Sequence, residues 1–154
     1  MDVGNVTDDD VPAGFRSIAE RGWTVRPSGA RVLRAFDAPS AGPFGDVVQE
    51  EYSLNGRGMT DYDIPESGPE REAILLRRCV AYARACLRAR EDADLGLPVS
   101  AYISVSFGGL EEDTLTANVT FCGVHPGVRP YLVDIEDFTQ EAILVLPPSE
   151  RPAG

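Results

Sequence analysis

The clearest pattern along the chain is strict alternation between residues 99 and 122. Val99, Ala101, Ile103, Val105 and Phe107 fall on one side, and Ser100, Tyr102, Ser104 and Ser106 on the other. After a Gly-Gly-Leu-Glu-Glu-Asp loop, Leu115, Ala117, Val119 and Phe121 repeat the apolar phase. Thr114, Thr116, Asn118, Thr120 and Cys122 take the polar one. A period of two over both runs predicts an antiparallel hairpin with one packed face. Upstream, the period changes to that of a helix. Leu75, Leu76, Cys79, Val80, Tyr82, Ala83, Cys86 and Leu87 form one broad apolar face, so a helix is expected over about residues 69–92. Ser67-Gly-Pro-Glu70 before it fits a capping box.

The N-terminal third is patterned more weakly. Phe15, Ile18 and Ala19 share a helical face, with Asp10 as N-cap and Gly22 as stop, which predicts a helix over 12–21. Trp23 and Val25 start a strand, Ser28-Gly29 turns it, and residues 31–37 return with Val32, Arg34 and Phe36 on one side. Residues 38–45 hold two prolines and two glycines and form a loop. Val47 to Leu54 is strand-like. Asn55-Gly56 is the signal for a type I′ hairpin turn, whose partner strand should run over 57–64. A short strand at 131–133, a helical turn at 134–138 and a last strand at 142–146 complete the order. Runs of strands separated by two helices indicate an α+β domain: an antiparallel sheet with two main helices packed on one face. The expected organisation is an acidic disordered N-terminus over residues 1–10, one domain over 11–147 and a flexible tail over 148–154.

The chain has 154 residues, ordinary globular fractions of 43% hydrophobic and 25% charged residues, and a net charge of −11. No apolar run approaches the roughly 20 residues of a bilayer span, so no membrane partner is expected. All 14 basic residues are arginine. Without lysine there is no P-loop lysine and no Schiff base. With a single histidine, His125, every two-histidine metal motif is excluded. The acidic balance disfavours nucleic acid as a partner. Three cysteines, an odd count, and an acidic start without the basic flank of a signal peptide point to a cytoplasmic setting.

The candidate chemistry is sparse. Cys79, Cys86, Cys122 and His125 add up to a zinc donor set, but Cys79 and Cys86 lie about 10.5 Å apart along a helix, too far to share one metal. No metal site and no cofactor is expected. Cys122 and His125 could pair as nucleophile and base in one loop, yet no third group orients them, and turn chemistry is the simpler role for His125-Pro126-Gly127. Asp61 and Asp63, two apart on the expected strand, could share a site; Glu111–Asp113 and Asp134/Glu136/Asp137 are further acidic groups. Between residues 73 and 90 there are five arginines and no acid, leaving the rest of the chain at −16. Arg77, Arg84 and Arg88 align opposite the apolar face as a stripe for an anionic ligand or acidic partner, or simply as a solvated face. The outward hairpin face, with Tyr102, Ser104, Asn118 and Thr120, carries no charge in a strongly charged protein. Charge depletion is a property of interface cores.

Ser17-Ile-Ala-Glu-Arg-Gly-Trp-Thr-Val followed by Arg31-Val-Leu-Arg resembles the opening of YbjN-like domains, and so does the order helix, antiparallel strands, long helix, two strands. That fold is shared with class I type III secretion chaperones. The resemblance covers about residues 11–122 and implies a protein-binding role without catalysis, often as a dimer; it carries over no site residues.

These readings lead to three expectations. The first is a small acidic, non-catalytic protein-binding module (a chaperone, assembly or immunity-type factor) with a protein partner of basic character and a capacity to form homo-oligomers. The second is a small-molecule binder or enzyme with a pocket between long helix and sheet, using Tyr102, His125 and Arg84. The third is a structural subunit of a phage or secretion assembly.

Overall fold

The computed structural model describes residues 6–93, 96–107, 115–128 and 141–147, with the backbone alone at 91–93, 107 and 141–143. The fold is α+β, with antiparallel sheets and helical packing on one face of the larger sheet.

A short 3-10 turn at Asp8–Asp10 precedes helix α1 (Ala13–Arg21). Pro12, not Asp10, is the N-cap of α1; the Asp10 carboxylate instead accepts from the Thr7 N–H at 2.9 Å. Val6 packs partly buried against the core, and Val11 is buried. Gly22 ends α1 with φ of 74°, a conformation that favours glycine.

Strands β1 (Trp23–Val25) and β2 (Arg31–Leu33) pair antiparallel around the Ser28-Gly29 turn. β2 is shorter than expected. After Leu33 the chain closes into a 3-10 turn at Arg34–Phe36, so Val32, Arg34 and Phe36 do not line one face.

The largest departure is at residues 47–55, which form helix α2 (Val47–Asn55) and not a strand. The Asp46 side chain caps it by accepting from the Gln49 N–H at 2.8 Å. Asn55-Gly56 is therefore a helix end and not a hairpin turn; Gly56 has φ of −72°. Of the expected partner strand, Arg57–Gly58 alone joins the sheet, as β3.

Helix α3 (Pro69–Ala93) lays its predicted apolar face, from Leu75 to Leu87, into the core. Strands β4 (Val99–Phe107) and β5 (Leu115–Gly123) pair in one unbroken register from Val99↔Gly123 to Phe107↔Leu115. β6 (Glu141–Leu146) adds to the far side of β4, giving the sheet order β3-β5-β4-β6. Val99, Ala101, Ile103, Leu115, Ala117, Val119 and Phe121 are buried beneath α3. Edge-to-face rings tie the layers together: Phe15 to Tyr82 at 4.8 Å, Tyr82 to Phe121 at 6.0 Å, Phe121 to Trp23 at 5.4 Å. The Trp23 indole N–H also donates to the Cys86 carbonyl at 2.8 Å, fixing β1 to α3. Residues 108–114, 129–140 and 148–154 lie outside the described residues, and with them the expected strand at 131–133, the turn at 134–138, the tail and two of the acidic groups.

Candidate functional site

Among the described residues the two sheets do not pair with each other. What joins them is the buried face of α2. Val48, Glu51 and Asn55 fall on it, all buried, and Glu51 and Asn55 are fully so. Asn55 Oδ1 accepts from the Leu33 N–H at 2.9 Å, while its Nδ2 donates to the Arg31 carbonyl at 3.0 Å and the Phe121 carbonyl at 3.1 Å. One turn earlier, the Glu51 carboxylate accepts from the Arg31 N–H at 2.7 Å and the Gly123 N–H at 3.0 Å. Two side chains thus take the place of a strand between β2 and β5. Buried backbone groups that would otherwise lack partners are satisfied at both edges.

His125 closes this cluster. Its Nε2 lies 2.9 Å from both Glu51 oxygens, and the pair is buried, with 8% of the His125 side chain and none of that of Glu51 exposed. Gly123 leaves the room: a Cβ there would sit 3.0 Å from His125 Nε2 and 3.4 Å from Glu51 Oε2. His125 also serves the turn expected of it, its carbonyl accepting from the Val128 N–H at 3.2 Å. The third group that the sequence did not offer is therefore Glu51. Cys122 is buried, no hydrogen bond joins it to His125 among the described residues, and burial raises its thiol pKa. Burial likewise pushes Cys79 and Cys86 up to about 12. Among the described residues, no three His, Cys, Asp or Glu side chains converge as metal ligands.

The expected acidic pair at Asp61 and Asp63 is not a shared site. Each is drawn to its own arginine on α3: Asp61 to Arg71 at 2.6 Å, Asp63 to Arg78 through two bonds of 2.8 Å. The bidentate guanidinium holds the Asp63 carboxyl below its usual range. Arg77, Arg84 and Arg88 are exposed on the outer side of α3, as their spacing requires. The structure gives the stripe an occupant at one end, since Arg88 pairs with Asp8 of the N-terminal turn. Arg77 opens on a cleft of about 330 Å³ walled by Asp9, Asp10, Tyr62 and Arg78.

The outward face of β4 and β5 holds Tyr102, Ser104, Ser106, Thr116 and Thr120 half-buried and Asn118 exposed. Ser104 stands opposite Asn118 and Tyr102 opposite Thr120, so the four predicted residues form one contiguous patch. β6 extends it with Val145, which pairs with Tyr102 and is 40% exposed. α3 covers the opposite face of the sheet. Arg84 is exposed on the outer side of α3, Tyr102 stands on the outward face of β4, and His125 is held against Glu51, so among the described residues these three side chains are not brought into contact. A second cleft, of about 480 Å³, lies between the β1–β2 turn and the proline-rich loop, lined by Val25, Pro39, Pro43 and Phe44 over the Arg26–Glu50 ion pair.

No family model, no curated protein and no solved structure matches this chain.

Sequence reasoning missed Glu51 and took Asn55 for a hairpin-turn residue. A signal for them was present: Asp46-Val-Val-Gln49 has the capping-box spacing that announces a helix N-terminus.

Proposed function

We propose that this protein is an acidic, non-catalytic protein-binding module whose contact surface is the uncharged outer face of the β4–β5 hairpin. The observation that carries the reading is the contiguity of Tyr102, Ser104, Asn118 and Thr120 on a sheet face opposite the helical layer, in a chain of net charge −11. Neutral polar side chains held on a rigid hairpin desolvate cheaply compared with carboxylates or guanidinium groups. The acidic surroundings favour a partner with a basic rim, because such charge accelerates encounter and discourages other contacts. A role through the surface also suits the reactive groups: three buried thiols with raised or high pKa values, and one imidazole held against a buried carboxylate. The resemblance to YbjN-like and secretion-chaperone domains implies the same kind of role.

The test is co-purification from native extract of tagged wild-type protein and of the double variant Ser104→Arg/Asn118→Arg, with Arg77→Glu as a control on the other side of the molecule. The reading expects a partner retained by wild type and by the control and lost at least tenfold in the double variant. Equal retention by all three proteins would refute it.

A further inference from the structure

Strand β6 has one edge that the described residues leave without a paired strand. Which of its backbone groups face outward follows from the rest of the sheet. Ala117 O, Phe121 O and Gly123 N bond toward β3 and α2, away from β4. Their partners Val105, Ala101 and Val99 must then turn their backbone groups away from β5. Val105 and Ala101, with Ile103 in the same phase, thus bond to Ala142, Leu146 and Leu144 of β6. By alternation, Glu141, Ile143 and Val145 present N–H and C=O to the outer edge.

Among the described residues this edge lacks the usual safeguards. Residues 141–146 contain no proline and no lysine, and the register with β4 runs without a bulge. Its single charge, Glu141, is at one end, whereas the chain as a whole carries −11. It is also self-complementary. An antiparallel pairing about a two-fold axis at Leu144 sets Leu144 opposite its own copy. Ile143 then stands opposite Val145 of the second copy, and Ala142 opposite Leu146. All of these pairs are apolar, and both Glu141 positions fall outside the block. Each Ile143–Val145 pair exchanges two backbone hydrogen bonds, four in all. Leu144 and Leu146, half-buried against the core, would continue the apolar layer from one copy into the next.

We propose that two copies of this chain associate through their β6 edges, forming one continuous eight-stranded antiparallel sheet. The occupant is a second copy because the matched register is apolar throughout and a like-charged molecule can approach here without opposing carboxylates. The remaining repulsion between two chains of −11 is screened at higher ionic strength, where the Debye length falls to about 3 Å at 1 M salt, so salt strengthens the association. This pairing leaves the Ser104–Asn118 patch accessible and does not depend on the reading of that patch.

Sedimentation equilibrium of the full chain over a wide concentration range tests it, at low and high salt. The expected mass rises from 16.6 kDa toward twice that value, and rises earlier in high salt. Val145→Pro removes an outward N–H without touching the ladder to β4, and Val145→Glu places a carboxylate on each side of the axis; either should shift the association at least tenfold toward monomer. Amide exchange at Val145 gives an independent reading, slowing as concentration rises. A monomer at every concentration, or an association unchanged in both variants, would overturn the proposal. So would an association abolished by Ser104→Arg/Asn118→Arg and not by Val145→Glu, which would assign it to the sheet face.

Discussion

Replacing Asn55 by alanine removes the amide that bridges β2 to β5. Three backbone groups then lose their partner: the Leu33 N–H, the Arg31 carbonyl and the Phe121 carbonyl. Leu33 and Phe121 are completely buried, so water does not readily replace the amide there. A buried backbone group left unpaired costs about 1–3 kcal/mol. Counting the two groups on fully buried residues, the loss should be about 2–6 kcal/mol, a large part of the 5–15 kcal/mol typical of a domain. At about 2–4 °C per kcal/mol for a chain of this size, the melting temperature should drop by roughly 4–24 °C. Trp23 is the chain's one tryptophan, is buried and is bonded to α3, so its fluorescence reports the global transition in urea. The denaturant slope should stay the same while the midpoint falls. Asn55→Asp is a sharper version. It keeps the acceptor for Leu33 but aims a carboxylate at two carbonyl oxygens, so it should cost at least as much as alanine at neutral pH. A loss under about 1 kcal/mol for both variants would mean that the two sheets are not held by this side chain, and the account of α2 would fail.

Gly123→Ala should destabilise by about 1–3 kcal/mol through overpacking, since its Cβ would meet His125 Nε2 at 3.0 Å; thermal melts read the loss, and displaced His125 ring resonances in NMR localise it. The Asp63 carboxyl is held below its ordinary value of 3.8 by Arg78, so its contribution is present above that value and lost as the pH falls through the lowered one. The stability gap between wild type and Asp63→Asn should therefore narrow as the pH drops below 3.8, and a gap independent of pH would contradict the pairing. A thiol reagent at pH 8 should leave the native protein unmodified and titrate three groups after unfolding, because all three cysteines are buried and burial raises their pKa; fast reaction of any one in the native state would contradict this.

What the residues disclosed and what they concealed divide along a physical line. α3 and the β4–β5 hairpin bury faces made of apolar side chains, so the period of hydrophobicity is the period of the structure, and Ser104 and Asn118 share one sheet face as the alternation requires. α1 was legible for the same reason, and β6 as a short continuous apolar run. α2 inverts the rule. Its buried positions are Val48, Glu50, Glu51 and Asn55, so the side chains that face inward are mostly those a hydrophobic pattern assigns to solvent. Val47, Val48 and Tyr52 are good strand formers, and Asn55-Gly56 is a strong turn signal taken alone. Burial of Glu51 and Asn55 wins because they satisfy the edges of two strands that come from distant parts of the chain, β2 and β5. That is a tertiary fact, invisible to any local window. The uncharged patch was visible in sequence as a depletion of charge on one strand face. The partner that orients His125 was not, because Glu51 lies 74 positions away.

The proposed contact surface of this molecule is the outer hairpin face. A photoreactive side chain placed at Ser104 and, in a separate protein, at Arg77 tests it most directly in native extract. Binding at the hairpin face would give a discrete protein adduct from position 104 and none from position 77. An adduct confined to position 77, with position 104 unreactive, would contradict it.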